Sequence, residues 1–204
     1  MRKSMPLGIV LITVMGLLFS GCGTSPAAKF YTLTPVVQQK MEATVVGTGN
    51  ALPIAIGPVE IPEYLDRPEI VTRAEQNQLI LSEFNLWGGS LKADVNRVLI
   101  ENVSHFLASD GIPVVTWKIG IAETQRVLIQ VVRFDGAPNN DMVLKARWSV
   151  VGRDGKTFEL VRESTISVPV KGGNYTAIVA AMSDALGELA KDIASGIKPV
   201  ILKK

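Results

Sequence analysis

The chain of 204 residues has a single cysteine, Cys22, and a single histidine, His105. One thiol cannot close an intramolecular disulfide, so in an oxidising compartment the fold rests on burial alone. One histidine with no second cysteine leaves no cluster at metal-ligand spacing. With Asn102 and Leu107 as helix neighbours, His105 reads as a helix-surface or rim residue. There is no Gly-x-Ser-x-Gly and no Gly-rich loop leading into Lys-Ser/Thr, the patterns of a nucleophile elbow and of a phosphate cradle. Asp94 and Asn96 read as the solvated face of a helix, and Asp135, Asp141 and Asp154 as strand-end or turn residues. Neither catalysis nor a cofactor or metal is indicated. A charge excess is missing too. Residues 1–21 hold Arg2 and Lys3 and no acid, leaving 19 basic and 19 acidic side chains beyond them. No two of those basic residues are adjacent before Lys203-Lys204. Without a basic stripe to meet phosphates, a nucleic-acid partner is not expected.

What is present begins at the N-terminus. Arg2 and Lys3 precede an apolar run, Leu7 to Phe19, and the small residues Ser20 and Gly21 lead directly to Cys22. Positive flank, apolar middle and small-residue exit form the pattern of a secretory signal. A cysteine at the exit makes it similar to a lipoprotein signal peptide, with Cys22 lipidated as the new N-terminus. As a helix the thirteen-residue run spans about 20 Å, short of the roughly 30 Å hydrocarbon core that a transmembrane anchor must cross. A secreted protein with a leftover thiol is the other alternative. The expected organisation is a signal peptide over 1–21, a lipidated tether over 22–29 and one domain over 30–204, large enough for a sizeable core. The tether, GTSPAAK after Cys22, is small and polar. Extended, it carries the chain from Cys22 to Phe30 over at most about 26 Å.

Within the domain, Phe30 to Leu33 reads as a first strand and Gln38 to Asn50 as a polar loop. Leu52 to Ile61 alternates apolar and polar residues around the Gly57-Pro58 break, a strand with a bulge or bend. Glu69 to Arg73 and Gln78 to Ser82 are short strands joined by a polar turn. Ser90 caps a helix expected to reach about Ser109, with Leu91, Val95, Val98, Leu99, Val103, Phe106 and Leu107 on one face. Four strands follow: Pro113 to Trp117; Arg126 to Phe134, apolar on both faces and so central; Met142 to Val151, which turns Trp148 inward; and Thr157 to Val170 after an Asp154-Gly155 hairpin. A second amphipathic helix starts at the Asn174 cap and is expected to close at Gly196 and Pro199. The triplets Gly88-Gly89-Ser90 and Gly172-Gly173-Asn174 hint at two related strand-strand-helix halves. Strands in runs, each run followed by a helix, predict an α+β domain: a mostly antiparallel or mixed sheet packed against two long amphipathic helices.

The less ordinary residues lie in Ile56 to Arg73. Tyr64 and Leu65 occupy a proline-bounded loop beside Glu63, Asp66 and Arg67. An apolar pair there either folds onto the core or stands out as a partner anchor. Trp87 carries the same two readings. Together, Phe30-Tyr31-Thr32-Leu33, Ile56-Gly57-Pro58-Val59, Tyr64-Leu65-Asp66-Arg67-Pro68, Ile70-Val71 and a Trp shortly before an amphipathic helix resemble the ABC-type transport auxiliary lipoprotein family. The resemblance covers all of the chain beyond the tether. Where many members follow the Trp with an acidic residue and a proline, this chain has Gly88-Gly89-Ser90. The resemblance implies a periplasmic, non-enzymatic domain held by lipid to the outer membrane. It also implies docking to an MCE protein in a lipid-transport system with ABC or other integral membrane components, and homo-oligomerisation. Gly23 after Cys22 agrees with outer-membrane sorting. Tyr64, Leu65, Arg67 and Trp87 are then the candidate partner contacts. The alternative is a module holding one lipid in an apolar pocket between helices and sheet, lined by the strand Arg126 to Phe134.

Overall fold

The computed structural model describes residues 26–36, 52–119 and 124–201. Cys22, the apolar run before it and the loop expected over Gln38 to Asn50 lie outside the described residues. The elements are β1 (Lys29–Tyr31), β2 (Ile54–Glu60), β3 (Glu69–Glu75), β4 (Gln78–Trp87), α1 (Leu91–Leu107), β5 (Val114–Thr116), β6 (Gln125–Asp135), β7 (Asp141–Val151), β8 (Phe158–Pro169) and α2 (Tyr175–Ile201). The α+β class is as expected, but the strands divide between two sheets. A five-stranded sheet runs β5-β2-β6-β7-β8, with β2 parallel to both β5 and β6 and the β6-β7-β8 meander antiparallel. A three-stranded sheet runs β1-β4-β3, with β1 parallel and β3 antiparallel to β4. The strands before α1 are thus shared between both sheets, whereas those before α2 all lie in one. The two halves hinted at by the Gly-Gly triplets are not structurally matched.

Local chemistry accounts for the element ends. Ser90 Oγ accepts from the Ala93 amide and Asn174 Oδ1 from the Ala177 amide, capping α1 and α2. Asp154 accepts from the Lys156 and Thr157 amides in the β7–β8 turn. Register in β2 shifts between Ile56 and Val59, at the Gly57-Pro58 break.

Both helices cover one face of the large sheet and pack on each other, α1 over β2 and β5, α2 over β7 and β8. Strand β6 is central, but it is not buried on both faces. Val127, Ile129 and Val131 point into the core while Gln130 and Val132 are exposed, because the helices lie on one side only. Leu144, Ala146, Trp148 and Val150 of β7 face the same core, with Trp148 2% exposed and its indole N–H donated to Ser164 Oγ at 3.1 Å.

Helix α2 does not close at Gly196 and Pro199; it runs on to Ile201. Gly196 faces Trp148 so closely that a Cβ there would stand 2.5 Å from the indole, so it serves contact rather than termination. Pro199 removes only the amide that would bond the Ser195 carbonyl, and Ser195 is exposed, so water can replace the bond. Burial of Ile193 and Ile197, both 0% exposed, holds the last turns in place.

Candidate functional site

The loop between β2 and β3 begins as a short 3-10 turn, Glu63–Leu65. Its side chains part company. Leu65 is in the core at 2% exposure, whereas Glu63, Asp66, Arg67 and Pro68 are exposed. The amide of Trp87 donates to the carbonyl of Pro68, and Trp87 is itself buried at 5%. Leu65 and Trp87 are thus both buried in the fold, Leu65 in the core and Trp87 at the edge of a surface hollow. Arg67 pairs with Glu69 at 3.0 Å at the surface. Of the four candidate contacts it is the most available.

Tyr64 is half-buried and donates to Asp135 Oδ2 at 2.7 Å. Asp135 is not the solvated strand-end residue that its sequence position suggests. Its side chain is fully buried, and it is the hub of a four-residue network. Arg73 on β3 donates through Nε to Oδ1 at 2.7 Å and through Nη2 to Oδ2 at 2.9 Å, a bidentate fork. Arg133, two residues before Asp135 on β6, donates to Oδ1 at 2.9 Å. Burial alone raises the Asp135 carboxyl pKa, but the hydrogen bonds from Arg73, Tyr64 and Arg133 outweigh it and hold the group below its ordinary value. Burial, then the bond to the carboxylate, pushes the Tyr64 phenol up to about 12. Beside the hub, the Arg73 amide donates to the Gly136 carbonyl at 2.9 Å. The network therefore fastens the small sheet and the Tyr64 loop to the large sheet. It orients the loop, with both oxygens of the Asp135 carboxylate engaged by donors.

A second fixed region receives the chain from the tether. Beyond β1 the segment 32–36 has no regular structure, yet its backbone is held by both helices. The Leu33 amide donates to Asp94 Oδ2 at 2.6 Å, the Thr34 amide to Ser183 Oγ at 3.1 Å and the Val36 amide to Asn102 Oδ1 at 3.0 Å. Arg97 donates to the Leu33 carbonyl at 2.7 Å. Val36 presses on α2 where Gly187 leaves room; a Cβ there would overlap its methyl. Asp94 is thus a structural acceptor rather than part of a solvated face. The missed signal is a polar residue on the apolar side of a helix: Asn102, at 2% exposure, and Ser183, at 5%, both interrupt otherwise apolar faces.

The space between helices and large sheet is filled by one hydrophobic cluster that includes Val127, Ile129, Val131 and Phe134. Those β6 side chains, the lining offered for the alternative lipid pocket, are packed among the core residues. Two hollows of about 270 and 290 Å³ open among the described residues. The first is lined by residues such as Tyr31, Trp87, Ser90, Asp94 and Arg97, the second by residues such as Pro58, Leu128, Arg147 and Val161. His105 is exposed on α1, its ring edge-on to Phe106. Among the described residues no group of three or more His, Cys, Asp or Glu could hold a metal ion, and no helix is long and apolar enough to cross a membrane.

Comparison with known proteins places this architecture. The chain is 24% identical over 188 residues to the intermembrane transport lipoprotein PqiC of Escherichia coli, covering 92% of this chain and 96% of that protein, and the Shigella flexneri PqiC matches equally. Among solved structures, an uncharacterized protein superposes with a TM-score of 0.70 at 18% identity, over 85% of this chain and all of its own. A Xanthomonas campestris protein superposes with a TM-score of 0.65 at 16% identity, over 82% of this chain and 93% of its own. These two share the fold. The sequence model of one family, described as the ABC-type transport auxiliary lipoprotein component, matches residues 31–194, from β1 well into α2. The chain belongs to the ABC-type transport auxiliary lipoprotein family.

Proposed function

We propose that this protein is an accessory, docking subunit of an MCE-type intermembrane lipid transport system, held by a lipid on Cys22 to the periplasmic face of the outer membrane. In this reading residues 1–21 are removed as a signal peptide, 22–29 form the tether and 30–204 the working domain. The carrying observation is the extent of the family match, residues 31–194, which starts just beyond the expected tether and spans most of the folded domain. The clamp on residues 32–36 supports it. A lipid-held domain transmits its anchor's position only if the chain is fixed soon after the tether, and here both helices fix it within a few residues. The exposed rim of the β2–β3 loop, Asp66-Arg67-Pro68, is the proposed contact with the MCE component or with a second copy in a homo-oligomer. Tyr64, Leu65 and Trp87 shape that rim from behind.

One experiment separates the parts. Palmitate labelling of the full chain and of Cys22→Ser is combined with co-purification of the MCE protein by wild type and by Arg67→Ala. The expected result is label on wild type alone, and an Arg67→Ala domain that melts as wild type but recovers less MCE protein. The Arg67–Glu69 pair lies at the solvent-screened surface, so its loss should leave the melting midpoint unchanged. Equal labelling of both chains overturns the anchoring; unchanged recovery by Arg67→Ala overturns the rim as the contact.

A further inference from the structure

The three-stranded sheet exposes an unusual share of the molecule's apolar surface. Among the described residues, Phe30 on β1 and Leu79, Ile80, Leu81 and Phe84 on β4 are exposed at 68, 36, 47, 44 and 37%. Phe30 is the register partner of Leu86, and Phe84 lies two residues before it in the bulged stretch of β4 between Leu81 and Leu86. Leu79, Ile80 and Leu81 are consecutive, so both faces of the strand are apolar and wet at that point. A rigid partner meets one face of such a ribbon; a fluid apolar layer meets both.

The direction of the chain says which layer that is. Because β1 runs parallel to β4, residues upstream of Lys29 leave toward the Gln78 end of β4, the same end as Leu79 to Leu81. Cys22 stands seven residues before Lys29, and Gln78 seven residues before Asn85, the partner of Lys29. Seven extended residues reach about 25 Å, and β4 spans less than that from Gln78 to Asn85, because it is bulged between Leu81 and Leu86. A lipid on Cys22 is therefore within reach of the apolar stretch of β4.

We infer that the small sheet is a second, non-covalent membrane contact: Phe30, Leu79, Ile80, Leu81 and Phe84 rest in the interfacial layer of the bilayer that holds the Cys22 lipid. The polar turn Glu75-Gln76-Asn77 stays among the head groups, so the hairpin lies along the membrane plane. Lipid and hairpin give two attachments, and two attachments fix the orientation of the domain where a lipid alone leaves it free to swivel. This inference rests on the Cys22 anchoring proposed above.

The test uses the full chain, purified from membranes and reconstituted into phosphatidylethanolamine vesicles with a minority of phosphatidylglycerol. Cysteines introduced by Leu79→Cys, Ile80→Cys or Phe158→Cys carry an environment-sensitive fluorophore, and spin-labelled lipids serve as quencher. Phe158 pairs with Val151, at the opposite end of the large sheet from the Asp135–Gly136 region where β3 is fastened, so it is the distant control. The expected result is blue-shifted emission at 79 and 80, with quenching at least about threefold stronger than at 158 for side chains 5–10 Å into the interface. Equal quenching at all three positions overturns the inference. So does blue-shifted but unquenched emission at 79 and 80, which means a protein partner or a second copy covers the sheet. The mass of the N-terminal fragment is read on the same sample. An unacylated Cys22 overturns the anchoring, and this inference with it; an acylated Cys22 with an unquenched hairpin overturns this inference alone.

Discussion

Replacing Asp135 with alanine is the sharpest perturbation of the network that fastens the two sheets. The substitution leaves the Arg73 fork, Arg133 and the Tyr64 hydroxyl without their shared acceptor. Breaking a buried ion pair by removing one partner costs about 3–5 kcal/mol, because the surviving charge stays desolvated. The side chains of Arg73 and Arg133 are 20% and 38% exposed and can recover some hydration, so the lower end, about 3 kcal/mol, is the expected loss. For a domain of this size that lowers the melting midpoint by about 6–12 °C. Asp135→Asn keeps an acceptor for Tyr64 but not the charge, and should lose about half as much. The pH dependence gives an independent check. The carboxyl is held below its ordinary value in the fold, so its contribution is complete above the unfolded value of about 4 and disappears as pH falls through the folded one. Thermal and urea unfolding followed by circular dichroism, at pH 7, 5 and lower, measures both. The reasoning is refuted if Asp135→Ala lies within about 1 kcal/mol of wild type at pH 7. It is equally refuted if the gap to wild type closes well above pH 5.

Trp148→Ala should lose about 3–5 kcal/mol in urea unfolding, since it vacates the core space between β7 and α2 and strands the Ser164 hydroxyl; an unchanged midpoint would contradict the inward orientation. Gly196→Ala should destabilise by about 1–3 kcal/mol despite alanine's better helix propensity, because the new methyl meets the indole of Trp148, and a rise in melting temperature would show that α2 does not approach β7 so closely. Tyr64→Phe should cost about 1–2 kcal/mol at neutral pH. The phenol is raised to about 12 in the fold, so its contribution is present below the unfolded value near 10 and lost as pH rises through 12; alkaline melts of the two proteins should therefore converge there, and parallel curves would exclude the bond to Asp135.

What the sequence revealed followed periodicity and caps. The heptad-like run from Leu91 to Leu107 and the strict alternation around Trp148 need only local information, and both helix starts and the orientation of β7 match the expectation. Misreadings arose wherever a distant residue decides. Gly196 and Pro199 carry the signs of a helix end, but whether a helix ends depends on what packs beyond, and here Trp148 and the apolar side of α2 prolong it. Strand β6 looks apolar on both faces because Leu128 and Val132 sit among core residues; one-sided coverage by the helices is a property of topology. Division into two sheets is topological as well, since β1 joins β4 across more than fifty residues of chain.

The site was legible in part, and for the same reason. Tyr64 and Leu65 drew notice as an apolar pair in a charged loop, yet composition cannot tell a lid on the core from an anchor, and the fold turns Leu65 inward. Asp135 was hidden because a strand-end aspartate is ordinary; its partners Arg73 and Tyr64 lie more than sixty residues upstream. The same separation explains its role. Tyr64 and Arg73 bracket the β2–β3 loop and the start of the hairpin, and both end on one carboxylate of the large sheet, so loop and small sheet move with the core rather than independently of it. On the other side, Asp94, Asn102 and Ser183 hold the segment that follows the tether to both helices. The loop rim at Arg67 and the apolar strand at Leu79 to Leu81 belong to the loop and small sheet that the Asp135 network fastens. Under the proposed Cys22 anchoring, a pull on residues 32–36 would act on both helices directly and reach the Arg67 rim through the packed core and the Asp135 network.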